Sequence, residues 1–292
     1  MEKVLRDPKA VLVFVGPALL VYALVLLIPI VWSIGYTFFE GSAISGFTFV
    51  GFANFVRLMQ DRRFWNALWF STKYMLVVSS GQVLLGLLLA LLFHFYLKRA
   101  SSVVRTLVFF PVVLPTVAVA AIFSKLFAIA PQYGIVNAVL ELFGLQAVSW
   151  LGRGTTAFWV LAIMDIWRAM GFYAVLLYAG LVDIPGDILE AASLDGAKGW
   201  RLVQFIVLPL LVPLLISSLI FSMNGTLKVF DSVLALTNGG PGQATTPLTL
   251  YMYRASFQNN QYGYGSTVAL MLTLYCLLVS LLAFRFARRD VA

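Results

Sequence analysis

The chain has 292 residues, of which 61% are hydrophobic and only 11% charged, and its mean hydropathy is +0.94. Soluble domains carry charge on about a quarter of their residues and cover their cores with amphipathic rather than uniformly apolar helices, so this composition excludes a soluble globular protein and indicates an integral membrane protein. The net charge of +8 is spread in small basic groups between apolar runs, a pattern that membrane topology explains without invoking nucleic acid.

Taken in chain order, six apolar runs are long enough to cross a bilayer as helices: about 10–34, 71–96, 103–128, 157–182, 202–227 and 266–287. The first is longer than a signal-peptide core and lacks a small-residue cleavage pattern, so it is expected to stay as an anchor. Pro17 and Pro29 should bend it without breaking it, because freed backbone groups can be satisfied locally. Residues 36–69, with Gly41, Gly46 and Gly51 marking turns and Asp61-Arg62-Arg63 exposed, read as an external loop, and residues 131–155 as a second external connection. Pro209 and Pro213 predict a bend in the fifth span. Asn238-Gly239-Gly240-Pro241-Gly242 is the strongest turn cluster in the chain.

Basic residues favour the cytoplasmic ends of spans. Lys3, Arg6, Lys9, Lys98, Arg99, Arg105, Lys198, Arg201, Arg285, Arg288 and Arg289 fall on one side of the six-span arrangement, against Arg57, Arg62, Arg63, Arg153 and Arg254 on the other. That asymmetry places both termini in the cytoplasm. No repeat divides the chain, so 1–292 is expected to be a single all-α, polytopic membrane domain. The lone Cys276 and lone His94 lack the companions that a metal or redox site needs, so both are read as packing residues and no metal is expected.

Between the fourth and fifth runs, residues 183–201 interrupt the apolar pattern. Within Glu190–Arg201 stand two acids, two bases, two glycines and an indole, too costly a set to bury in lipid, and the charge count puts this island in the cytoplasm. Asp187 can cap a helix there, with Glu190 reaching back in a capping box. Ala191 and Ala192 keep the helix surface small enough for close approach, and Gly196 permits a turn into a second short helix.

Glu190-Ala191-Ala192, three residues, Gly196, nine residues, then Ile206-x-Leu208-Pro209 resembles the EAA signature of binding-protein-dependent ABC importer permeases. Other segments resemble the oligosaccharide, or maltose-type, subgroup: residues 49–55, Arg105 with Phe109-Phe110-Pro111, Gly134-x-x-Asn137, Trp150-Leu151, and Leu236–Pro241 followed by Tyr253, Phe257 and Tyr262-Gly263. Ser71-Thr72, where that subgroup often has Asn-Thr, and Phe123, where it often has Trp, depart from it.

The resemblance implies that Glu190, Ala191, Ala192, Asp195, Gly196, Ala197, Leu208 and Pro209 form the coupling element, seated in a cleft on a cytoplasmic ATPase and moving with it as it closes on ATP. This chain has no G-x-x-x-x-G-K-[ST] loop of its own, so it is expected to bind no cofactor, ATP and Mg belonging to two partner ATPase subunits. It further implies a second homologous permease in a heterodimer, an extracytoplasmic solute-binding protein, and residence in a bacterial or archaeal cytoplasmic membrane. Lipid is the surrounding partner, and nucleic acid is not expected.

Charged residues at membrane depth are candidates for a pathway because their cost must be offset by pairing or water. Asp165 and Arg168 are three apart, as are Lys228 and Asp231, spacings that share one helical face; they read either as a lining for sugar hydroxyls or as ion pairs that fix packing. Trp167, Tyr173, Met223 and Asn224 fall near mid-span, where aromatic faces can stack on sugar rings and amides can bind hydroxyls; ordinary packing is the competing reading. Gly239, Gly240 and Pro241 are expected to shape the external mouth or meet the delivery protein.

The leading expectation is therefore a permease subunit, not an enzyme, that imports an oligosaccharide or related polyol. A glycerol-phosphate importer, with Arg168 or Lys228 holding the anion, is an alternative. A proton-coupled carrier using Asp165 leaves the island unexplained, and an intramembrane enzyme lacks a nucleophile–base set or a metal cluster.

Overall fold

The apolar runs become helices throughout. In a computed structural model describing residues 8–42, 44–97, 101–129 and 132–289, five of them are long and apolar enough to cross a membrane: Leu12–Tyr36, Arg62–Phe95, Gly154–Val182, Trp200–Leu227 and Tyr262–Arg285. The topological markers Lys3, Arg6, Lys98, Arg99 and Pro131 lie outside the described residues, as do the side chains of Arg288 and Arg289. The third run is not one straight span. It divides into α5 (Ser101–Val113) and α6 (Thr116–Leu126), bent by 97°. Pro115, with ψ of 130°, caps α6; its ring disfavours helical geometry at Leu114 and it has no N–H to continue the ladder.

Residues up to Phe64 together with Met252–Thr273 form one compact unit, and Trp65–Tyr251 with the residues from Leu274 onward form another. In the first, α1 (Pro8–Tyr22) passes through a π turn at Ala23–Leu27 into α2 (Ile28–Tyr36). The expected external loop is ordered: strands β1 (Phe39–Ser42) and β2 (Gly46–Phe49) pair antiparallel, and α3 (Ala53–Gln60) follows. The buried Asn54 pins this hairpin, its Nδ2 donating to the carbonyls of Thr37 and Phe39, both at 2.9 Å. Asp61 accepts from the Arg63 N–H at 2.8 Å, a side-chain cap that starts the second span at Arg62, about nine residues earlier than hydropathy suggests. Gly263, at the start of the last helix, has no room for a Cβ, which would fall 1.8 Å from the Phe39 carbonyl oxygen.

The second unit holds most of α4 (Arg62–Phe95), α5, α6, α7 (Ile135–Leu142), α8 (Gly154–Val182), α9 (Gly186–Leu194), the fifth span, α12 (Asp231–Leu236) and most of α13 (Leu248–Tyr253). The fifth span comprises α10 (Trp200–Leu202), a π turn at Val203–Val207 and α11 (Leu208–Leu227). The last helix, α14, covers Tyr262–Arg289.

In both the first and the fifth spans the π turn ends two residues before a proline, Pro29 or Pro209. A proline ring collides with the carbonyl four residues back; one extra residue in that turn relieves the collision without ending the helix. This is how both spans stay continuous.

The core between α4, α8 and the fifth span is apolar: Val83, Ala90, Leu91, Tyr173, Leu177, Leu181, Val203, Val207 and Leu211 are buried together. The connection after α6 is closed by one amide. Asn137 is fully buried, donates to the carbonyls of Ala128 and Val148, and accepts from the Val148 N–H and Trp150 Nε1 at 3.0 Å each.

Candidate functional site: a polar cavity and the coupling helix

Polar residues inside apolar helices must find partners, since an unpaired buried group costs roughly 1–3 kcal/mol. Here they find one another. Asp165, 4% exposed at the middle of α8, accepts from Tyr74 Oη of α4 and from Ser232 Oγ of α12, both at 2.7 Å. Its backbone carbonyl accepts from Gln82 Nε2 at 3.0 Å, and Gln82 Oε1 accepts from Ser222 Oγ of α11 at 2.7 Å. Arg168 Nε stands 3.6 Å from Asp165 Oδ1, an ion pair at i, i+3. One helical turn thus links four helices.

These groups edge a cavity of about 280 Å³, whose lining includes Gln82, Thr116, Asp165, Arg168, Tyr173, Lys228 and Asp231. Two backbone breaks meet there. Thr116 opens α6 just after the 97° bend, and residues 228–230 separate α11 from α12. Irregular backbone at membrane depth survives only where protein or a water-filled cavity satisfies it; here Thr249 Oγ1 donates to the Val229 carbonyl, and α12 packs against α6 and α8.

Lys228 and Asp231 do not share a helical face, contrary to the spacing rule, because the helix ends at Leu227 and Asp231 opens the next one. Both are exposed and both line the cavity. Tyr173 lines it while belonging to the apolar core. Trp167, Met223 and Asn224 do not line it. Trp167 lies against Phe123 with ring centroids 5.8 Å apart, and Asn224 Nδ2 donates to Ser280 Oγ of α14 at 2.9 Å. Sequence reasoning missed Tyr74, Gln82, Ser222 and Ser232. Gln82 could have been flagged, as an amide inside the second apolar run.

Ser71, where the chain departs from the maltose-type pattern, and its neighbour Thr72, which keeps it, both have clear contacts. Ser71 Oγ accepts from the Leu248 N–H at 3.0 Å, and Thr72 Oγ1 meets Tyr275 Oη at 2.8 Å.

The charged island forms a helix, α9, as expected, but not by a capping box. Pro185 is the cap residue, no side chain caps the end, and Asp187 lies in the first turn. Proline supplies the helix-compatible φ before the first turn without a side-chain oxygen. Glu190, Ala191, Asp195 and Gly196 are exposed, while Ala192 is buried and ties the helix inward. Gly196 sits at φ of +89° and Gly199 at +56°, a left-handed pair that turns the chain. The residues after this turn do not make the separate second helix that was expected: Trp200–Leu202 runs on as the start of the fifth span, and Leu208 and Pro209 stand at the entry to α11. A shallow groove beside α9 is lined by Leu189, Glu190, Ser193, Leu194 and Lys198.

At the far end, Gly239, Gly240 and Pro241 form a knot. The Gly240–Pro241 bond is cis, Thr245 Oγ1 donates to the Gly240 carbonyl at 2.6 Å, and Thr246 Oγ1 donates to that of Gly239 at 3.1 Å.

Residues 82–289 match the family of binding-protein-dependent transport system inner membrane components. The chain is 37% identical over 245 residues to the trehalose/maltose transport system permease protein MalF of Thermococcus litoralis, covering 83% of this chain and 81% of that one. It is 33% identical to the lactose transport system permease protein LacF of Rhizobium radiobacter, covering 94% and 93%. A solved bacterial ABC transporter involved in the import of the acidic polysaccharide alginate matches with TM-score 0.79 and 26% identity over 94% of this chain and 93% of that one. A second alginate transporter structure, at 23% identity and TM-score 0.84, shares the fold. Cavity, coupling helix and these likenesses agree: this multi-pass membrane chain belongs to the family of binding-protein-dependent transport system inner membrane components, the non-catalytic permease subunits of ABC importers.

Proposed function

We propose that this chain is one of two homologous permeases in an importer that takes an oligosaccharide or related sugar from a solute-binding protein and moves it across the cytoplasmic membrane by alternating access. The observation that carries the reading is the convergence of two helix breaks and the middle of α8 on one polar cavity. Two cations, Arg168 and Lys228, and two carboxylates, Asp165 and Asp231, line it, a balance that suits hydroxyl-rich, uncharged cargo better than a phosphate. The names of the trehalose/maltose and lactose relatives support the same substrate class.

In this reading both termini are cytoplasmic and two ATPase subunits carry ATP and Mg. The exposed Glu190 and Ala191 of α9, with Asp195, Gly196 and Ala197 in the turn that follows it, receive their motion. A ligand drives a conformational change only by preferring one state; the ATP-bound dimer prefers the outward-open one, and α9 transmits that preference. Asp165 acts chiefly as a positioning group, since Tyr74, Ser232 and Arg168 surround its carboxylate. Lys228 and Asp231 face the cargo, and the Gly239-Gly240-Pro241 knot shapes the outer mouth.

The test is uptake into vesicles carrying the whole transporter and its binding protein. Trehalose, maltose or lactose should accumulate only with ATP, and Lys228→Met or Asp231→Asn should raise KM. Accumulation of glycerol phosphate with exclusion of every neutral sugar refutes the substrate class.

A further inference from the structure

A second cavity, of about 450 Å³, lies between the end of α4 and the start of the fifth span, lined by Leu88, Leu91, Leu92, Phe95, Tyr96 and, across from them, Gly199, Trp200, Leu202 and Val203. Its volume is that of a small-ligand site (~300–1,000 Å³), yet no charged side chain lines it; the nearest in sequence, Lys198 and Arg201, flank its lining residues Gly199 and Trp200. We propose that it is a binding site for an anionic phospholipid of the cytoplasmic leaflet, one acyl chain entering the cavity and the headgroup held by Lys198 and Arg201.

Three observations carry this. Leu84, Leu88 and Leu92, four residues apart on α4, and Tyr96 just past its end are exposed by 58%, 50%, 40% and 78%. Such spacing forms one stripe along a helix, so a lipid-facing surface runs unbroken into the cavity. Tyr96 and Trp200 stand among the lining residues with most of their surface free; rings with one polar atom favour the level of the headgroups. Lys198 and Arg201 flank Gly199 and Trp200, are exposed, and make no ion pair among the described residues. Basic side chains at the inner surface attract anionic lipid. A lipid seated here would brace residues 199–203 directly after the coupling helix and its turn, so lipid composition would bear on coupling. The inference rests on the cytoplasmic placement of α9.

The test uses the complete transporter, purified in mild detergent, with retained lipids identified by native mass spectrometry after incubation with equal phosphatidylglycerol and phosphatidylcholine. The wild type should retain phosphatidylglycerol selectively. Arg201→Gln should retain about fivefold less, the effect of one surface charge on anionic lipid; Leu92→Trp, which fills the cavity, should retain none, and Leu84→Trp, on the stripe but outside the cavity, should match the wild type. Assembly is checked by subunit stoichiometry in the same spectra. Equal retention of both lipids, or equal phosphatidylglycerol on wild type and Leu92→Trp, overturns the proposal, as does a crosslink from position 92 to an ATPase subunit. Sugar uptake in vesicles of phosphatidylcholine alone separates the two readings: ATP-driven uptake there leaves the transport function standing whatever the lipid result.

Discussion

Replacing Asp165 by Asn removes the charge at the centre of the polar cluster while keeping its shape. Tyr74 and Ser232 retain an amide to meet, but the Arg168 guanidinium loses its counter-charge at membrane depth. Breaking a buried ion pair costs roughly 3–5 kcal/mol. The 3.6 Å separation and the 27% exposure of the Arg168 side chain into the cavity put this pair at the lower end, about 3 kcal/mol, on the order of a hundredfold in the folding equilibrium. The double variant Asp165→Asn/Arg168→Gln leaves no orphaned charge and should recover about 1–2 kcal/mol of that loss. Unfolding of the purified chain in mixed micelles by stepwise addition of sodium dodecyl sulfate, followed by tryptophan fluorescence, reads the midpoints. A single variant as stable as the wild type, or a double variant no better than the worse single, refutes the claim that the pair is structurally coupled.

The geometry sets three further expectations. Glu190→Lys and Gly196→Trp should leave the protein in the membrane and abolish ATP-dependent uptake, and normal uptake by either would remove α9 from the coupling role; the second also places a side chain at φ of +89°, a conformation costing roughly 1–2 kcal/mol. Asn137→Ala deletes the partner of four hydrogen bonds and should cost about 4 kcal/mol at about 1 kcal/mol each, visible as faster limited proteolysis within 132–150; unchanged cleavage would show that the loop is held by other contacts. Asn224→Leu should lower the unfolding midpoint by about 1 kcal/mol through loss of its bond to Ser280 with KM for uptake unchanged, whereas a raised KM at constant stability would place Asn224 on the pathway.

The spans and the helix of the charged island were legible because their signals are local: apolar length, and an island too charged for lipid. The break at Pro115 was not, since a proline in an apolar run is compatible with a kink, a π turn or a sharp bend. Pro29 and Pro209 follow π turns and Pro115 stands at a 97° bend, outcomes that the local sequence does not separate. The hairpin at 39–49 was hidden for the same reason, since four-residue strands carry little periodicity and depend on an amide, Asn54, outside both of them. The cavity was half legible. Its charges stand out in sequence, but the partners that fix them, Tyr74 and Ser232, lie 91 and 67 residues from Asp165, a pairing that only the tertiary fold creates. Lys228 and Asp231 misled through their spacing, which assumes a helix that has already ended.

The helix that carries the cavity charges, α8, has no π turn and no internal proline. It runs 29 residues from Gly154 to Val182, about 43 Å at 1.5 Å per residue, and three residues separate it from α9. Asp165 and Arg168 sit near its centre, so the cavity charges ride on a single uninterrupted helix, while the first and fifth spans carry π turns. If α9 receives the ATPase motion as proposed above, only three residues separate that motion from the helix that carries Arg168. On that proposal α8 is a lever that carries displacement at its end to the cavity wall at its middle.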